Sequence, residues 1–195
     1  MICQEFHAVI DLSGVLMDIH QYSREEFLEK FLSVYKQWYD VVLAAPEEAP
    51  FSAYAEFHEH QSGYMLVRKA EMWSADRHEY VYIYSMPHLD VDTAKHCTEK
   101  STVQGLEKVD PVPGHMCSGI VSIFICDSAD PEAVQLLKKY RWRKSFQFSL
   151  RGWAEAHTAL VLTGDSTVVS NAAGRNTAKL LKDLLNPKQQ KKRQF

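Results

Sequence analysis

No run of apolar residues in this 195-residue chain approaches the roughly 18 to 20 that a membrane-spanning helix needs. The first residues carry Glu5, Asp11 and Asp18 and have no basic segment ahead of an apolar one, which argues against a secretory signal. Cysteine is scarce. Cys3, Cys97, Cys117 and Cys126 stand at irregular spacing without a CxxC pair, so a disulfide framework or structural zinc site has no signature, and free thiols in a reducing cytoplasm fit better. Only eight glycines are present, with no Gly-rich phosphate loop and no GxSxG nucleophile elbow. "AAGRN" at 172–176 could offer amides to an anion, but with its single glycine it reads as a plain turn.

What is present is a 46% hydrophobic chain of one-domain size with an uneven charge distribution. The formal net charge is −3, yet six basic residues and no acid lie between Lys138 and Arg151. Lys188, Lys191, Lys192 and Arg193 add four more in a tail that is again free of acid. Of the 22 basic side chains, twelve remain to face 25 acidic ones over the rest of the chain. The body is acidic and the positive charge is gathered in two places, a pattern that bears on partners rather than on fold.

Segment 1–21 has no clear period and is expected to be poorly structured, with Met17 a candidate for the true start. Ser23 followed by Glu26 forms a capping box, and Phe27, Phe31, Val34, Tyr35, Trp38 and Val42 follow at helical spacing to about Leu43. From Phe51 the period changes to two, and residues 51–86 read as a three-strand meander with turns at "HQSG" and "SADRH". A helix opening on the aspartates of "HLDVDTAKHCTEK", the doubly apolar strand "GIVSIFIC" and a helix capped by Asp130 with Pro131 at its first position come next. Strands around 143–151 and 153–162, a short strand and a last helix before Pro187 complete the order α-βββ-α-β-α-βββ-α. The expectation is one α+β domain over 22–186 with a mostly antiparallel sheet, followed by a basic, disordered tail at 187–195.

The stretch "YRWRKSFQFSLRGW" sets three arginines and a lysine among five aromatic rings. Read as a strand, it places Arg141, Arg143, Ser145, Gln147, Ser149 and Arg151 on one face, and Trp142, Lys144, Phe146, Phe148 and Leu150 on the other. An amphipathic strand explains that composition without a ligand. A groove for an anionic ligand or nucleic acid, formed by Lys138, Lys139, Arg141, Arg143 and Arg151, is the functional reading. Rings that stack bases should share the exposed face with the cations, and in a regular strand they do not.

Two further constellations stand out. "EFHEH" projects Glu56, His58 and His60 to one side of a strand at about 6.6 Å spacing, a ligand set suited to a divalent metal and hence to a metal-dependent hydrolase. His78, Glu79, His88, Asp90, Asp92, His115 and His157 would complete such a site only where the fold brings them close. Tyr80, Tyr82 and Tyr84 make a stripe on one strand face, which either packs beneath a helix or offers a homodimer surface.

The order helix, three strands, helix, strand over 23–127 is similar to the core of the PD-(D/E)xK nucleases. Their chemistry requires an acid on the second strand and an acid-x-lysine on the third. Here the third strand offers Glu79-Tyr80-Val81 with no lysine two residues on, and the second offers Glu71 flanked by Lys69, so no catalytic residue carries over. The blocks "YAEFHEHQSGYMLVRKAEMWSADRHEYVYI", "GHMCSGIVSIFICD" and "YRWRKSFQFSLRGW" resemble an uncharacterised bacterial protein family covering most of the chain from Tyr22 to Leu185. That resemblance implies a small, soluble bacterial protein and supplies no activity, cofactor or site.

Overall fold

The computed structural model describes residues 22–64 and 71–186, with side chains over 22–58 and 77–186. The expected segments at 1–21 and 187–195, and the candidate start at Met17, lie outside the described residues. Among the described residues seven strands form one mixed sheet: β1 (Asp40–Leu43), β2 (Phe51–Tyr64), β3 (Glu71–Leu89), β4 (His115–Ala129), β5 (Arg143–Ser145), β6 (Trp153–Leu162) and β7 (Thr167–Ser170). Four helices, α1 (Arg24–Tyr35), α2 (Val91–Lys108), α3 (Pro131–Lys139) and α4 (Arg175–Leu185), pack on it in two layers.

The strand order is β1-β2-β3-β4-β6-β5, with β7 also on the outer edge of β6. The fold is α+β, as expected. Among the described residues four of the six pairings are antiparallel, and the two parallel ones, β3 with β4 and β4 with β6, lie at the centre. Parallel neighbours need a crossover. α2 supplies the first and α3 lies in the second, and the two helices pack on the same face of the sheet. α1 and α4 cover the other face. β4 is thus buried on both sides, with Ile120 and Phe124 under α2 and α3, and Val121, Ile123 and Ile125 under α1 and α4.

The start of α1 is as the sequence predicts. The Ser23 hydroxyl accepts from the Glu26 amide at 3.2 Å, and the Ser23 amide donates to the Glu26 carboxylate at 2.9 Å. Its end differs. The helix stops at Tyr35, and Asp40–Leu43 pair as an edge strand with Ala53–Glu56. Trp38 and Val42, placed by helical spacing on the buried face, are 73% and 64% exposed. Two adjacent β-branched valines and an unpaired edge of β2 outweigh the helical period here. The expected meander is likewise redrawn as two long strands, β2 and β3, with 65–70 outside the described residues.

The tyrosine stripe is interior. Tyr80, Tyr82 and Tyr84 are 4%, 3% and 2% exposed, so no dimer surface is available on them. They meet the sheet-facing side of α2, whose buried residues are small: Ala94, Cys97, Thr98, Ser101, Thr102 and Gly105. Large rings on the strand and small groups on the helix share one layer of volume. The hydroxyls of Thr98, Ser101 and Thr102 each donate back to the carbonyl four residues earlier, at 2.7 to 2.8 Å, so burial leaves them paired.

Candidate functional site

β5 is a short edge strand, only three residues long, and the chain from Phe146 to Gly152 leaves the sheet. The expected strand over 143–151 is therefore a strand followed by a loop. Gln147, Phe148 and Ser149 hold φ of 46°, 54° and 69°, a left-handed run that no strand accommodates. The loop closes on itself: the Phe146 amide donates to Gly152 O at 3.0 Å and the Arg151 amide to Phe146 O at 3.2 Å. At Gly152, φ is +69° and a Cβ would stand 2.1 Å from Met116 O, so glycine is required where the loop rejoins β6. His115 pins the same point. One of its ring nitrogens, Nδ1, lies 2.7 Å from Arg151 O and, since a carbonyl only accepts, carries the proton; Nε2 meets Ser118 Oγ at 2.8 Å.

This geometry corrects the assignment of faces. Phe148 is 100% exposed and Leu150 83% exposed, whereas strand alternation buries both. Trp142 and Phe146 do turn inward and pack against the core under α2 and α3. The exposed ring of Phe148 therefore belongs to the same chain segment as the exposed cations Arg141, Arg143 and Lys144.

Beside the loop lies a cleft of about 460 Å³ lined by Tyr140, Arg141, Trp142 and Arg143 on one side, by Glu155 and Ala156 of β6, and by Asn171, Ala172 and Ala173 ahead of α4. The Arg143 guanidinium sits 4.5 Å from the Trp153 ring centroid, which orders it by cation–π attraction. No carboxylate lies within ion-pair distance of Lys138, Lys139, Arg141, Arg143 or Arg151 among the described residues. Of these five, Arg141 and Arg143 line the cleft; Lys138 and Lys139 end α3, and Arg151 ends the loop. Glu155 is the one acid in the lining, and its carboxylate lies 3.5 Å from His157 Nε2.

The back of the cleft depends on Asn171. β5 covers the edge of β6 at 153–155 and β7 covers it at 159–162, which leaves a gap between them. Asn171 fills it with its side chain. Its Nδ2 donates to Ala156 O at 2.9 Å and to Tyr140 O at 3.1 Å, while Oδ1 accepts from the amides of Thr158 at 3.2 Å and Gly174 at 2.8 Å. Nothing in the sequence marks this residue, because its partners are backbone groups brought together only by the fold.

Glu56 and His58 are elsewhere, on β2 and on the α2 face of the sheet, and His60 belongs to the same strand. Glu56 accepts from Tyr54 OH at 2.7 Å and lies 3.6 Å from Lys108 Nζ. The Tyr54 hydrogen bond, aided by Lys108 and His58, holds its carboxyl below the ordinary range, while burial and the Glu56 carboxylate push the Tyr54 phenol up. His58 Nδ1 meets His78 Nδ1 at 2.7 Å, and His78 stacks on His115 at 5.9 Å between ring centroids. The side chain of His60 lies outside the described residues. No grouping of three metal-ligating side chains occurs among the described residues.

Other residues that sequence proximity left open are dispersed. Glu79 and His157 lie on the opposite face from Glu56, where Tyr39 OH donates to Glu79 at 2.6 Å and the His157 ring lies over Gly119. Asp90 caps α2 through the Thr93 amide, and His88 bonds Ser128 and Asp130. A shallower depression of about 330 Å³ at the ends of β4 and β6 carries Glu26 and Asp127, the latter paired with Arg24.

No curated protein and no solved structure matches the chain. No helix among the described residues is long and apolar enough to cross a membrane. A model of a domain of unknown function, DUF8052, matches residues 23–183, which run from the cap of α1 into the last turns of α4, and the chain belongs to that family.

Proposed function

We propose that this protein is a noncatalytic binding module whose ligand is a phosphate-bearing anion held at the β5 edge by Arg141 and Arg143, with Lys138, Lys139 and Arg151 extending the positive field. The observation that carries this reading is a pair of arginines, Arg141 and Arg143, lining one cleft with no carboxylate partner among the described residues, in an acid-free segment from Lys138 to Arg151 of a chain that is otherwise acidic. Exposed cations are usually paired or scattered. Grouping them raises the local potential and attracts anions from solution. Ordering of Arg143 on Trp153 supports the reading, since a preset guanidinium loses less freedom when it grips a phosphate. Three free thiols at Cys97, Cys117 and Cys126 suit a reducing cytoplasm, where we place the protein, and the resemblance to a bacterial family points to a bacterial cell.

The test is binding of inorganic polyphosphate across a salt series, for the parent chain and for the triple variant Arg141→Glu, Arg143→Glu, Arg151→Glu. The expected result is affinity that falls with salt and is abolished in the variant. Undiminished affinity in the variant would sink the reading.

A further inference from the structure

The tip of the 146–152 loop adds chemistry that a simple phosphate does not use. Phe148 is wholly exposed and Leu150 nearly so, although burial of such side chains is normally favoured. They are not held out by slack chain. Three successive left-handed residues, the Leu150 amide bonded to Gln147 O at 3.0 Å and the Gly152 amide bonded to Ser149 O at 3.1 Å fix the tip in a defined conformation. Non-glycine residues are disfavoured in that region, so the fold sustains a strained loop whose outcome is a presented ring. Within seven residues of it along the chain come Arg141, Arg143, Lys144 and Arg151, and no acid occurs between Lys138 and Arg151.

A planar ring rigidly exposed on a cation-rich segment fits a ligand that offers phosphates and flat unsaturated faces together. The adjoining cleft of about 460 Å³ has the same character, with Tyr140 and Trp142 beside Arg141 and Arg143. The rest of the chain restricts the form of that ligand. Twelve basic side chains against 25 acidic ones outside the two basic segments would be repelled by a rigid duplex or by an extended anionic bilayer. A flexible strand can touch the basic edge alone.

We infer that the β5 edge binds single-stranded nucleic acid, with one base stacked on Phe148 and the flanking phosphates on Arg141 and Arg143. This rests on the anion-binding reading above and names its ligand. The experiment uses the full chain and four probes: a labelled single-stranded oligonucleotide, its duplex, inorganic polyphosphate, and vesicles containing anionic phospholipid. The single strand should bind more tightly than the duplex. Phe148→Ala should weaken it roughly tenfold, Phe148→Trp should retain it, and neither should alter polyphosphate binding. Because Phe148 touches solvent on all sides, an unchanged melting temperature is expected for both variants and controls for folding. If polyphosphate binds but the single strand gains nothing and Phe148→Ala has no effect, the inference is overturned while the anion site stands. Binding of vesicles, lost in Phe148→Ala with no oligonucleotide binding, also overturns it in favour of a lipid surface. No binding of any probe removes both.

Discussion

The side-chain amide of Asn171 donates to the carbonyl of Ala156 at 2.9 Å, at the point where β6 passes from one edge partner to the next. A single residue thereby does what a paired strand does elsewhere. Through Tyr140 O and the Gly174 amide, it also joins the entry to β5 to the start of α4. The cleft has a firm back wall for that reason, and its two arginines share a fixed frame.

Asn171→Ala is therefore expected to be far more damaging than an alanine at an ordinary loop asparagine. It strips four backbone groups of a partner, with a loss of about 3 kcal/mol, which lowers the melting temperature by roughly 6 to 12 °C for a chain of this size. Asn171→Asp should be no milder, because a carboxylate cannot donate to Ala156 O or Tyr140 O. Thermal unfolding of the two variants checks both statements. A near-parent melting temperature for Asn171→Ala would show that the side chain is dispensable.

Within the tyrosine stripe, neighbouring residues should respond in opposite directions. Tyr82 OH is buried without a hydrogen-bond partner among the described residues, while Tyr84 OH bonds Ser101 Oγ at 2.8 Å and Cys97 O at 3.2 Å. Tyr82→Phe removes an unpaired hydroxyl and should stabilise the protein by about 1 kcal/mol; Tyr84→Phe should destabilise it by about the same amount. Denaturant titration of the pair gives the sign directly. Tyr82→Glu, which on a dimer surface would only separate the chains, should unfold the chain, since it sets a carboxylate under α2.

Glu56 offers a test by pH. Its carboxyl is held below the ordinary range in the folded chain, chiefly by Tyr54 OH. A depressed folded value contributes stability that is present above the unfolded carboxylate value, near about 4.3, and is lost as the pH falls through the folded value. Glu56→Gln should thus narrow the difference in melting temperature between neutral and acidic solution. Chelator treatment should leave the melting temperature unchanged, because Tyr54 and Lys108 already engage this carboxylate. A drop on chelation that Glu56→Gln abolishes would instead place a divalent ion with Glu56, His58 and His60.

Much of the architecture was legible in the residues alone because its causes are local. The Ser23–Glu26 box, the Asp130–Pro131 start of α3 and the doubly apolar run of β4 each state their structure within a few positions, and the α+β order follows from them. The uneven charge along the chain was equally plain, as was the candidate status of Arg141 and Arg143. Long-range contacts decided the rest. Whether Val41 and Val42 extend a helix or edge a sheet depends on β2 lying alongside. Whether Phe148 is buried or exposed depends on three left-handed residues and on Gly152 closing against Met116. Asn171 acquires its role only because β5 and β7 leave a gap that no linear pattern encodes. Periodicity describes a chain beside its own neighbours; the site is made where the chain meets distant parts of itself, and only the tertiary structure specifies that meeting.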